Sequence, residues 1–166
     1  AIMVPAWQEH GVIGKMAQLA ATTLDYENYH IFIGTYPNDP QTHADVEQVR
    51  AHFPNVHSVV CARPGPTSKA DCLNNVLDAI FQFEQRSGIA FAGFILHDSE
   101  DVLSRLELRL FNFLVDRKDL IQLPVYPLER PLREFTGGHY LDEFAELHAK
   151  DIVVREALVG QVPSAG

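Results

Sequence analysis

Apolar and polar positions along this chain fall into blocks whose period switches between two and about 3.6, the signature of strands alternating with helices. Residues 2–5 are a short apolar run, read as a strand. Residues 12–23 have helical spacing, with Val12, Ile13, Met16, Leu19 and Ala20 on one face. Residues 30–36 are rich in β-formers. Pro40 opens a polar helix that runs to about residue 52. Residues 56–61 read as a third strand. Ser68 is placed to cap a helix over 69–86, with apolar positions Leu73, Val76, Leu77, Ile80 and Phe81.

The apolar run at 89–97 predicts a buried strand, and carboxylates follow it at once. Ser104 and Glu107 form a capping-box pattern for a helix to about residue 116. Residues 120–126 are strand-like, although Pro124 demotes them towards an edge. A loop is predicted over 126–138, then a long amphipathic helix over 139–158 with the pairs Glu146–Lys150 and Asp151–Arg155. This β-α alternation predicts an α/β fold: a Rossmann-like, mostly parallel sheet with helices on both faces.

Composition narrows the partners. The 166 residues are 46% apolar and 21% charged, which suits one folded domain. A net charge of −9 argues against nucleic acid and against a polybasic membrane surface. A single nucleotide stays open, because a metal, backbone N–H groups and one lysine suffice to hold its phosphates. Cys61 and Cys72 have no metal-type spacing, and the default is a reducing, cytoplasmic-type compartment. The longest apolar run is too short to span a bilayer, and no signal peptide is visible. The chain opens AIMVP without a Met and stops at VPSAG, so it is expected to be a piece of a longer protein.

Four stretches are candidates for chemistry. VPAWQE at 4–9 leads a strand into a polar turn; its backbone and Glu9 suit a base or ribose, but an ordinary loop with Trp7 as packing reads as well. GTYPNDP at 34–40 holds Asp39, either a hydrogen-bond acceptor for a base or sugar, or the cap of the helix at Pro40. RPGPTSKADCLN at 63–74 is a rigid loop before a capped helix. Its N–H groups attract anions, and Lys69 in the first turn calls for an anionic partner: a diphosphate, Asp71 or a neighbouring acid. The GxxxxGK[ST] spacing of a P-loop is absent.

HDSED at 97–101 is the fourth. If strand geometry persists, Asp98 and Glu100 point the same way. Two carboxylates about 5 Å apart at an effective dielectric near ~20 repel by roughly 3 kcal/mol, which a shared cation relieves. Oxygen ligands favour Mg²⁺ or Mn²⁺ over zinc. The competing view is a solvated acidic loop ahead of a helix. His97 is placed to act behind these acids. There is no HExxH and no GxSxG, and neither cysteine has an evident His partner, so nucleophilic hydrolase chemistry has no support.

Taken in order, these stretches resemble family 2 glycosyltransferases of the GT-A fold. VPAWQE is similar to that family's opening V-P-A-(aromatic)-N-E, SKADCLN at 68–74 to its K-A-x-x-L-N helix start, and HDSED to its DxD region in the D-(A/S)-E-D form. GTYPNDP and DEFAELHAKDIVVRE at 142–156 further resemble the glycosyltransferase domain of the bacteriophage adsorption protein B group, which are bacterial inner-membrane proteins. The resemblance covers nearly the whole chain. It implies that Pro5, Ala6 and Glu9 line a nucleotide pocket, that Lys69 and Asn74 lie near the diphosphate, and that Asp98 and Glu100 are the metal and ribose carboxylates with Asp101 beside them, the three forming the candidate metal set. Where the family carries D-D-G-S after the second strand, this chain has Gly34-Thr35-Tyr36-Pro37; its base-contacting Asp is missing or replaced by Asp39. The family's later E-D pair, which supplies the catalytic base, and its Q-x-x-R-W motif follow the point where these 166 residues stop.

The expectation is therefore the donor-binding part of an inverting GT-A glycosyltransferase, truncated on its C-terminal side, with no catalytic base before Gly166. It would use a UDP-linked sugar, Mg²⁺ or Mn²⁺, and a saccharide or lipid acceptor, in a parent protein at the cytoplasmic face of the inner membrane. Two alternatives stand beside it. A nucleotidyltransferase would need a Gly-rich basic loop after the first strand, which VPAWQEHG does not offer. A non-catalytic partner-binding domain could use the acidic last helix as its docking face.

Overall fold

The computed structural model describes residues 1–125, 146, 150 and 152–160. Two compact units are present, Ala1–Arg117 and Lys118–Gly166. The first is built from β1 (Ile2–Pro5), α1 (Ile13–Thr23), β2 (Ile31–Thr35), α2 (Pro40–Arg50), β3 (Val56–Val60), α3 (Lys69–Ser87), β4 (Ile95–Leu96) and α4 (Glu107–Leu114). In the second, α5 (Ile152–Val159) is described, with Ile152 buried.

All four strands are parallel, in the order β3-β2-β1-β4. The α/β expectation holds, and the period-two alternation explains the layers. Ile2, Val4, Ile31 and Ile33 face one side, in a core with Ile13, Met16, Ala17 and Ala20 of α1, Val46 and Val49 of α2, and Leu108 of α4. Met3 and Phe32 face the other side, against Val76 and Ile80 of α3. Capping sets two helix starts: the Ser68 side chain accepts from Asp71 N, and Asp39 accepts from Thr42 N ahead of Pro40. Gly88, in the left-handed conformation, ends α3.

Several expectations are corrected. Only Ile95–Leu96 of the 89–97 run is strand, and Phe94 and Leu96 are exposed. Among the described residues β4 pairs with β1 alone, so it is an edge; an apolar run does not tell edge from centre. Val12, Leu19 and Phe81 are exposed, and the true inner faces use Ala17 in α1 and Cys72 in α3. The Ser104–Glu107 capping box does not form: α4 begins at Glu107 with no side-chain cap. Residues 120–125 are not strand. The Glu146–Lys150 pair is present at 3.6 Å. The predicted loop 126–138, the first part of the last helix and Asp151 lie outside the described residues.

On the α3 side of the sheet, His57 stacks on Phe32 with ring centroids 4.5 Å apart, and its Nε2 lies 2.9 Å from His30 Nδ1. Burial, with help from the charges of His30 and Arg50, pushes the His57 pKa down to about 4. The folded state therefore disfavours the protonated ring. Its contribution is complete above the unfolded value near ~6.5 and is lost as pH falls towards the folded one. Between pH 7 and pH 4 the stability difference between wild type and His57→Phe should move by up to about 3 kcal/mol against wild type, as read from urea midpoints. A pH-independent difference would show that the ring is solvated.

Candidate active site

The strand order places the site. The chain steps from β1 outward to β2 and β3, then returns to β4 on the other side of β1. The loops leaving β1 and β4 both lead to helices on one face of the sheet, α1 and α4, whereas the β3–α3 loop leads to the other face; all three start from the carboxyl ends of the strands, where open α/β sheets bind ligands. Three of the four candidate stretches are the β1–α1 loop, the β3–α3 loop and the β4–α4 connection.

The first loop is fastened to α2. Ala6 N donates to Gly34 O at 2.9 Å, Gln8 N to Asp39 Oδ2 at 2.6 Å, and Glu9 N to Thr42 Oγ1 at 2.9 Å. Gln8 takes φ 59, a left-handed turn that this anchoring holds in place. Ala6 is buried, and Pro5 and Glu9 are half-buried. Asp39 is itself buried, and its carboxylate serves Thr42 N and Gln8 N. Of its two sequence readings the cap is the one observed, and the residue also supports the β1 loop.

The β3–α3 loop lies over Trp7. A Cβ on Gly65 would sit 2.5 Å from Trp7 Cε3, so only glycine allows the loop so close to the ring. Asn38 grips the Gly65 backbone twice, Nδ2 donating to its O at 2.6 Å and Oδ1 accepting from its N at 2.7 Å. Tyr36 Oη bonds Thr67 Oγ1 at 2.8 Å and packs edge-on to Trp7. Arg63 pairs with Asp71, holding that carboxyl below its usual range. Asn74 is exposed on α3; the neighbouring Asn75, which the sequence did not single out, accepts from Ala62 N.

This loop delivers Lys69 to the acids after β4. Lys69 Nζ lies 2.7 Å from Asp98 Oδ1, so the anionic partner it called for is Asp98, 29 residues away. The two side chains are 38% and 44% exposed. Such a pair contributes about 0–1 kcal/mol and exchanges readily for other ions.

The acidic stretch is a turn. Asp101 N donates to Asp98 O at 3.2 Å, and Asp98 N donates back to Asp101 Oδ2 at 2.9 Å. The strand has ended by then, so the alternation argument for Asp98 and Glu100 does not apply. Asp98 is nevertheless partly exposed and Glu100 exposed, whereas Asp101 turns inward. His97 Nδ1 lies 3.1 Å from Asp101 Oδ2 and its Nε2 2.6 Å from Glu107 Oε1. Burial opposes a charge on His97, but the two carboxylate hydrogen bonds outweigh it and push the pKa up to about 9. Burial also works against the Asp101 charge, yet the bonds from His97 and the Asp98 amide hold its carboxyl below the usual range. Glu107, only 7% exposed, is the neighbour that the sequence pattern disguised as part of a helix cap. Its spacing of ten from His97 carries no local signal.

Among the described residues, no three His, Cys, Asp or Glu side chains converge to hold a metal ion. Mg²⁺ commonly takes one or two carboxylates together with substrate phosphates, so the oxygen donors Asp98 and Glu100 fit such an ion alongside a diphosphate. Among the described residues, no helix is long and apolar enough to cross a membrane.

The chain matches the family model described as "Glycosyltransferase like family 2" over residues 1–166. It is 76% identical to Bacteriophage adsorption protein B of Escherichia coli (strain K12), across 100% of this chain and 22% of that protein. The same figures hold for Bacteriophage N4 adsorption protein B of Escherichia coli O157:H7. The chain thus spans 22% of the length of these relatives. No solved structure matches it.

Proposed function

Because this chain belongs to the family 2-like glycosyltransferases, we propose that the loops at the carboxyl ends of β1, β3 and β4 bind a nucleotide-diphosphate sugar, UDP-linked, as the donor for inverting transfer. The observation that carries this is the Lys69–Asp98 contact, which brings a helix N-terminus, a lysine and an acidic turn together at the carboxyl end of the sheet. In this reading Asp98 and Glu100 hold Mg²⁺ or Mn²⁺ with the diphosphate, and the ion supplies charge neutralisation of the leaving group. Lys69 leaves Asp98 for the phosphates, where the first N–H groups of α3 add positive potential. Pro5, Ala6, Glu9 and Asn74 line the nucleotide side, and Asp39 acts from behind by fixing the β1 loop. The acceptor, a saccharide or lipid hydroxyl, is activated by a base that we place outside these 166 residues, in a membrane-embedded parent. The isolated chain is therefore expected to bind donor weakly and not to sustain transfer.

Melting measured with UDP, with Mn²⁺ and with both tests this. At a ligand concentration 100 times Kd, stability should rise by about 2.7 kcal/mol, several degrees in Tm, only when both are present. Asp98→Asn should abolish the rise. Independent effects of metal and UDP, or an undiminished rise in the variant, would sink the donor site and favour a non-catalytic binding domain.

A further inference from the structure

The acids of the HDSED turn are unequal, and the inequality has a structural source. Asp101 Oδ2 accepts from both the Asp98 backbone and His97 Nδ1. His97 in turn reaches Glu107, buried on the first turn of α4, at 2.6 Å. Both ring nitrogens lie within hydrogen-bond distance of a carboxylate, so the ring bridges Asp101 and Glu107. The chain of contacts runs from the α4 start through the His97 ring and Asp101 to the Asp98 amide. The carboxylates of Asp98 and Glu100 are left outside it: Asp98, 44% exposed, meets Lys69, and Glu100 is exposed. Ser99, only 4% exposed, donates from Oγ to Glu100 Oε2 at 3.2 Å and so orients the second outward acid.

We propose that Glu107 and His97 are positioning residues of the donor site, acting through Asp101 to hold the turn that presents Asp98 and Glu100, and that Asp101 is not itself a metal ligand. This rests on the donor-site reading above. Groups behind metal ligands orient them, and their loss commonly lowers metal affinity about 10–100-fold.

The test is a titration of the 166-residue chain with UDP alone and with UDP plus Mn²⁺, for wild type, Asp98→Asn, Asp101→Asn and Glu107→Gln. In Glu107→Gln and Asp101→Asn the Mn²⁺-dependent part of the affinity should fall about 10–100-fold, with UDP-alone binding unchanged. Asp98→Asn should remove the Mn²⁺-dependent part entirely. NMR gives a second readout without metal: a protected Asp98 amide in wild type that loses protection in Asp101→Asn. Should Glu107→Gln not melt cooperatively, Asp101→Asn, which leaves the Glu107–His97 bond in place, carries the same comparison.

An unchanged Mn²⁺ dependence in Glu107→Gln and Asp101→Asn, equal loss of metal-free and metal-dependent binding, or an Asp101→Asn loss as complete as that of Asp98→Asn overturns the inference. So does an Asp98 amide that is equally protected in wild type and Asp101→Asn. Those failures leave the donor site standing. Absence of any Mn²⁺–UDP synergy in wild type overturns the donor site itself, and the inference with it.

Discussion

His97→Ala is expected to destabilise the chain by about 3–5 kcal/mol, the range typical when one partner of a buried charged pair is removed. Glu107 would be left with a buried carboxylate and no cation, and Asp101 would lose its ring contact. His97→Gln should lose less, because an amide still donates to one carboxylate. Lys69→Ala is the internal control: its bond to Asp98 is as short, but both side chains are over a third exposed, and the loss should stay below about 1 kcal/mol. Urea midpoints for the three variants decide the matter. A His97→Ala cost no larger than that of Lys69→Ala would mean that water reaches Glu107 freely.

Gly34→Val is expected to cost about 3 kcal/mol or more, at or beyond the upper end of ordinary overpacking. Gly34 is buried in β2, where valine has the better strand propensity, so local preference alone predicts a gain. The packing says otherwise. A single Cβ there would lie 2.5 Å from Cys72 Sγ and 2.9 Å from Val76 Cγ2. Relief requires α3 to move off the sheet, and Lys69 sits on the first turn of α3. Cys72→Ala should recover part of the loss when combined with Gly34→Ala, where one clash can be removed by one deletion. Additive costs in that double-mutant cycle would show that Cys72 is not the obstacle.

These two cases mark how far the sequence carries. The block periodicity determined the α/β class, the order of the first eight elements and part of the inner faces of α1 and α3. The caps at Ser68 and Asp39 were legible because an N-cap is a three-residue pattern. The chemical character of the site was legible too: acids after an apolar run, and a lysine at a helix start in need of an anion. Family resemblance then assigned these stretches to a donor site, and the match over the full chain supports the family.

Tertiary structure alone decided which of these groups meet. The strand order put β1 beside β4, made β4 an edge, and chose Asp98 rather than Asp71 as the partner of Lys69. It turned Glu107 from a helix cap into the far end of the His97 contact, and made Gly34 a place where a helix touches a strand. The physical reason is range. Periodicity and capping act within one helical turn or one strand, and every residue needed to read them is adjacent. The contacts of Lys69, His97 and Gly34 exist because elements cross a sheet, and their partners lie 29, ten and 38 positions away along the chain.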